Sequence, residues 1–169
     1  SFVMDIVACE EFLNSLFDPA TLIPGEYGFT CREADSIKSI GYATNLTPEV
    51  VRFGIDLKVD LIITHHDAWD FMYEMKDECA RMLLESRISH YFAHLPLDAA
   101  DFGIAAALGR RLGGEMVDKA ALYEGFPCGR VWELSAPVDL SDFVVLMQDV
   151  CLETVDCWQN NDRQVVRYG

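Results

Sequence analysis

Val59-Asp60-Leu61-Ile62-Ile63-Thr64-His65-His66 is the stretch whose reading decides the fold. Its short apolar run, rich in β-branched residues, has the pattern of a strand buried on both faces, as in a parallel sheet. Just upstream, Thr47-Pro48-Glu49 has the marks of a helix start: a hydroxyl cap, proline in the first turn and an early acid. The helix it opens carries Val50, Val51, Gly54 and Leu57 on one side, and Ile37 to Ala43 before it reads as another strand. Strand, helix and strand in this order form a βαβ unit.

The rhythm continues outward in both directions. Downstream, Phe71, Met75, Cys79, Met82 and Leu83 mark a helix, and Ile88 to Ala93 the next strand. Ala99 to Leu112 then reads as a helix with Phe102, Ala105, Leu108 and Leu112 inward, stopped by Gly113-Gly114. Upstream, Met4 to Phe17 reads as a helix with Val7, Phe12, Leu13 and Leu16 near one side, and Tyr27 to Cys31 as a short strand. Beyond Gly114 the spacing changes. Val131 to Leu134 suggests a strand, and Leu140 to Leu152 a helix with Phe143, Met147, Val150 and Cys151 inward. Val155 to Trp158 and Gln164 to Tyr168 suggest two further strands. The expectation is one α/β domain over residues 1–169, a mostly parallel sheet with helices on both faces.

Composition narrows the function classes. The chain has 169 residues, 51% hydrophobic and 24% charged, which is the composition of a globular protein. Thirteen basic residues stand against 28 acids, for a net charge of −15. Such a surface repels phosphate backbones, so nonspecific nucleic-acid binding and anionic membranes are disfavoured. An anionic substrate would need a local positive centre, and a metal ion supplies one. The sequence has no apolar run long enough to span a membrane and no basic region followed by an apolar core at its start, so the expectation is a cytoplasmic protein. Its six cysteines include no C-x-x-C pair and read as buried small hydrophobes in a reducing compartment.

The chemistry gathers at strand ends. Open α/β sheets bind ligands outside the carboxyl ends of their strands, and His65-His66 falls there. Neighbouring side chains on an extended chain point to opposite sides. Where the backbone turns, however, two imidazoles can converge on one ion or serve two. Imidazole suits divalent zinc, iron and nickel, and a carboxylate in the same site would also suit manganese. By itself the pair also fits two polar loop residues. A second motif shifts that balance, because His94-Leu95-Pro96-Leu97-Asp98 brings a histidine and a carboxylate to the end of the next strand. Asp98 can ligate a metal, cap the following helix, or do both. The two loops thus offer three histidines and one aspartate to a single crevice, in which His94 is either a third imidazole or a neighbour that orients Asp98 or a bound water. Asp67 and Asp70 read first as solvated acids, with acceptors around the ligands or extra ligands as the alternatives. Ser89-His90, in mid-strand, reads as structural. Trp69 and Phe71 read as core residues at a helix start, with stacking on a base as the alternative.

Gly41 to Leu57, Asp60 to His66 and Ala93 to Ala99, in this order, resemble the NIF-three-like family, whose bacterial members are often labelled GTP cyclohydrolase I type 2. Pro127 to Gly129 and Leu140 to Val150 are similar to that family's following strand and helix. The resemblance implies two divalent metal ions per site, with His65, His66 and Asp98 among the ligands, and a metal-dependent hydrolase acting on a nucleotide or phosphate ester. It equally allows a noncatalytic metal-holding scaffold or regulatory interaction protein. Ring-like homo-oligomers are common in the family. Its remaining ligands come from a C-terminal H-x-x-x-E segment, and this sequence has no histidine after His94. The expectation is therefore an incomplete cage, in a piece of a longer chain or a short form. The family's early N-x-G-L motif here reads Glu26-Tyr27-Gly28-Phe29.

Overall fold

The computed structural model describes residues 3–169, apart from the side chains of Met72 and Tyr73. The chain divides between Leu97 and Asp98 into two compact units.

In the first unit, β1 (Met4–Asp5) leads into α1 (Ile6–Ser15) and pairs antiparallel with β3 (Ser36–Ile37). A four-stranded sheet follows in the order β2 (Tyr27–Cys31), β6 (Ser89–Ala93), β5 (Leu61–His66), β4 (Ile40–Asn45). β4, β5 and β6 are parallel, and β2 is an antiparallel edge, so the sheet is mostly parallel as expected. α2 (Pro48–Asp56) connects β4 to β5, with the Thr47 side chain accepting from the Val50 amide as its cap. Between β5 and β6 run α3 (Asp70–Tyr73) and α4 (Lys76–Ser86).

Side-chain alternation along the strands distributes the helices. Ile62 faces Val51 of α2 and Cys79 and Leu83 of α4, in a buried cluster that Leu46 and Ile88 complete. Tyr91, one register step from Ile62's partner His90, faces the opposite way, where its hydroxyl donates to Asn14 of α1 at 2.8 Å. Helices thus flank the sheet on both faces. Gly54 lets α2 approach closely: a Cβ there would lie 2.8 Å from Ile62 Cδ1.

The second unit contains α6 (Ile104–Leu112), α7 (Leu140–Cys151) and an antiparallel sheet in the order β7 (Glu115–Tyr123), β8 (Phe126–Val138), β9 (Val165–Tyr168). A short helix, α5 (Leu95–Ala99), precedes it in the chain. β7 and β8 form a hairpin around Glu124 and Gly125, both at positive φ. Its twist requires that conformation at both turn residues. Gly109 of α6 packs on the buried Trp132 of β8, and the Tyr168 hydroxyl donates to the Gly109 and Gly113 carbonyls.

Several expectations are corrected. The helix expected over Ala99 to Leu112 is broken at residues 100–103, and its buried side is Ala106, Gly109 and Leu112; Phe102 and Leu108 are exposed. On α1 the buried pair is Cys9 and Leu13, one turn apart, while Val7, Phe12 and Leu16 are exposed. On α2, Leu57 is exposed, and on α7 only Phe143 is buried. Val155 to Trp158 forms no strand. All six cysteines are free thiols, but Cys151 and Cys157 are exposed, being at a helix end and in an irregular segment that no element covers. Among the described residues no helix is long and apolar enough to cross a membrane.

Candidate metal centre

The parallel strands end together, and their ends carry the site. β5 finishes on His65-His66, and β6 runs directly into His94. The two adjacent imidazoles do converge, with ring centroids 4.4 Å apart, and His94 lies 5.1 Å from His65 and 5.4 Å from His66. Each of the three offers a ring nitrogen within 4.8 Å of the others. Two nitrogens on one tetrahedral ion are separated by about 3.4 Å, given metal–nitrogen bonds of about 2.05 Å. Small rotations of the rings therefore suffice to close the set around an ion.

What aims the rings is a different neighbour for each. His65 Nδ1 donates to the Ala93 carbonyl at 2.9 Å, across to β6. His66 Nδ1 donates to Asn45 Oδ1 at 2.7 Å, across to β4, where the two residues are register partners. His94 Nδ1 donates to Glu26 Oε2 at 2.6 Å, in the residue that leads into β2. All four strands of the sheet thus contribute to the arrangement. A carbonyl, an amide oxygen and a carboxylate can only accept, so every Nδ1 carries the proton and the basic lone pair sits on Nε2. A histidine that ligates through one nitrogen characteristically donates its other N–H in this way. The residues present fit a divalent ion.

Beside the end of β5 lies a buried relay. Thr64 Oγ1 donates to the His66 carbonyl at 2.6 Å and so accepts from His90 Nε2 at 2.7 Å. His90 Nδ1 in turn accepts from Thr30 Oγ1 at 2.6 Å. His90 is fully buried, and desolvation lowers its pKa to about 3. It is a neutral structural group, as expected, and Ser89 beside it accepts from the Glu33 and Ala34 amides.

A family model described as Duf34/NIF3 (NGG1p interacting factor 3) matches residues 4–168. This chain belongs to the Duf34/NIF3 family. A GTP cyclohydrolase 1 type 2 homolog from Archaeoglobus fulgidus is 28% identical over 107 residues, which is 60% of this chain and 44% of that protein. The chain therefore spans under half the length of that relative. The fold is similar to that of the structural-genomics protein ybgI, of unknown function, with a TM-score of 0.83 and 22% identity over 97% of this chain and 68% of the other. Reduced HcgD from Methanocaldococcus jannaschii gives a TM-score of 0.69 and 22% identity over 88% of this chain and 60% of the other.

Against the pattern of the Duf34/NIF3 motifs, the residues singled out in the sequence fall in distinct places. His65 and His66 are in the imidazole group, and so is His94, which the motif left open between a third imidazole of the crevice and an orienting neighbour. Asp98 lies on α5, four residues beyond His94. Asp67 is largely buried, accepts from the Ala68 amide and has Oδ1 3.9 Å from His90 Nδ1; burial raises its pKa. Trp69 stands against His66 and His94, and Phe71 stacks on it with rings 14° from parallel. Phe71 is 84% exposed, which corrects its reading as a core residue. Neither Glu26 nor Asn45 has a role that the sequence assigns; both reach the imidazoles only through strand pairing.

Proposed function

We propose that His65, His66 and His94, with the Asp98 carboxylate, hold a divalent metal ion, and that the protein is a metal-dependent hydrolase acting on a nucleotide or phosphate ester. The observation that carries this reading is the convergence of three imidazoles, each with Nδ1 donated to an oxygen acceptor. Such an ion, when bound, supplies Lewis acidity and a source of hydroxide near neutral pH. The protein's own part is to orient. Ala93, Asn45 and Glu26 fix three ring planes, and the Thr30–His90–Thr64 relay anchors the His66 backbone. Within a strongly acidic chain, an ion at this point would be the local positive centre that an anionic substrate needs. The parallel Trp69–Phe71 pair beside the imidazoles favours a substrate with a planar ring over a simple phosphate ester.

The name of the Archaeoglobus relative supports a purine nucleotide as the first substrate to try. The test is turnover of GTP and of a generic phosphodiester by the zinc- or manganese-loaded protein, with chelator and Asp98→Ala as controls. Release of product that both controls abolish supports the hydrolase. Metal bound tightly with no turnover of either substrate favours the second reading, a metal-holding scaffold, which the interaction-derived name of the Duf34/NIF3 family supports.

A further inference from the structure

Glu26 lies far from the other site residues in sequence, yet the structure puts its side chain against the site. Its carboxylate Oε2 lies 2.6 Å from His94 Nδ1 and 3.3 Å from the Leu95 amide, and its backbone carbonyl accepts from the His94 amide at 2.8 Å. The residue thus grips His94 three times, at ring, own amide and following amide, although 68 positions separate the two in sequence. Glu26 is itself fixed, its amide donating to the Ile23 carbonyl at 3.0 Å.

We propose that Glu26 is a positioning residue that makes His94 a full third imidazole ligand, by locking it in the Nδ1–H tautomer and presenting Nε2 to the ion shared with His65 and His66. The inference rests on the metal-site reading above. Its physical basis is charge as well as geometry. A carboxylate behind an imidazole raises the basicity of the opposite nitrogen, which a neutral amide or a backbone carbonyl does more weakly. Of the three acceptors behind the rings, only Glu26 carries a full charge. Glu26 thus places a negative charge directly behind the His94 ring, where His65 and His66 have uncharged oxygens.

The experiment uses two independent measurements on the whole chain. Nitrogen-15 spectra of the metal-free protein report the tautomer of each histidine ring. Equilibrium titration with zinc alone, and the visible bands of the cobalt form, report ligation. Expected in the wild type is a single Nδ1–H form for His94, converting to a tautomer mixture in Glu26→Ala while His65 keeps its form. Zinc affinity should fall about ten- to a hundredfold in Glu26→Ala, and less in Glu26→Gln, whose amide oxygen can still accept from the ring. His94→Ala should lose at least as much as Glu26→Ala. Unchanged tautomers and affinity in both Glu26 variants would overturn the role of Glu26 while leaving the metal site standing. If the wild type binds no zinc while Glu26→Ala still converts His94 to a tautomer mixture, the metal reading is overturned, and with it ligation by His94.

Discussion

At the residue scale the centre is a problem of orientation, since an imidazole ring on a strand end has two free torsions and must lose both to bind well. Three separate acceptors remove that freedom for the three rings. With Asp98 as the one added carboxylate, and the remaining histidine, His90, held between Thr30 and Thr64, we expect zero or one ion per chain. Metal analysis after dialysis checks this, with His65→Ala and Asp98→Ala expected to lose what the wild type retains. Two tightly held ions per chain would show that other ligands complete the site. Asn45→Ala should loosen His66 alone and weaken zinc binding by about tenfold, read by the same titration.

His90 yields a pH prediction at the same scale. Its pKa is about 3 in the folded protein, against 6.5 for an ordinary histidine. Below pH 6.5 the unfolded chain therefore binds a proton that the folded chain refuses. The contribution of this group to stability is fully present above that pH and is lost progressively as pH falls toward 3. Urea unfolding of wild type and His90→Gln at pH 7.5 and 5 should show the wild type losing more stability between the two than the variant does. Equal losses would mean that His90 is not kept neutral by its surroundings.

At the element scale, glycine decides how closely helix and sheet approach. A Cβ on Gly109 would fall 1.9 Å from Trp132 Cε2, whereas on Gly54 it would meet the flexible end of Ile62 at 2.8 Å. Alanine gains up to about 1 kcal/mol in helix propensity at either site. At Gly109 the overlap with a buried indole outweighs that gain, and overpacking costs about 1–3 kcal/mol. Gly109→Ala should lower the urea midpoint followed by circular dichroism, and by more than Gly54→Ala does. A Gly109→Ala protein as stable as wild type would mean that α6 and β8 do not pack as described.

The same elements show what a sequence can disclose. The run Leu61 to Thr64 is apolar on both sides because both faces of β5 are covered, so it is legible without any partner. β7 is not. Its nine residues are all exposed, so no buried face imposes alternation, and its turn is Glu-Gly rather than the favoured Asn-Gly or Asp-Gly. The exposed stripes on α1 and α6 misled for a related reason: large apolar residues suggest the inner face, whereas small ones, Cys9, Ala106 and Gly109, occupy it. In the site, the His65-His66 pair was legible because two adjacent imidazoles at the end of an apolar strand stand out in the sequence itself. Asn45 and Glu26 act across 21 and 68 positions, a distance that only the paired strands convert into contact.

At the scale of the whole molecule, two properties oppose one another. The second unit presents a three-stranded sheet with β7 and β9 at its edges, and β7 exposes Met116, Val117, Leu122 and Tyr123. Edge strands with unpaired backbone groups and apolar side chains favour pairing with another chain. Glu115, Asp118 and Lys119 on β7 blunt that tendency only in part. Against it stands the net charge of −15, which makes any two copies repel. Repulsion between surface charges is screened within about 8 Å at physiological salt, while burial of apolar strand faces is not weakened by salt. We therefore expect a homo-oligomer, at least a dimer, at micromolar concentration, tightening as salt is raised. Sedimentation at low and high salt checks both halves of the expectation, and Leu122→Lys with Val117→Lys on β7 should shift the protein toward monomer. A clean monomer at high salt would mean that these edges are not association surfaces. Dissociation by salt would instead place the contact on charged groups, away from β7 and β9.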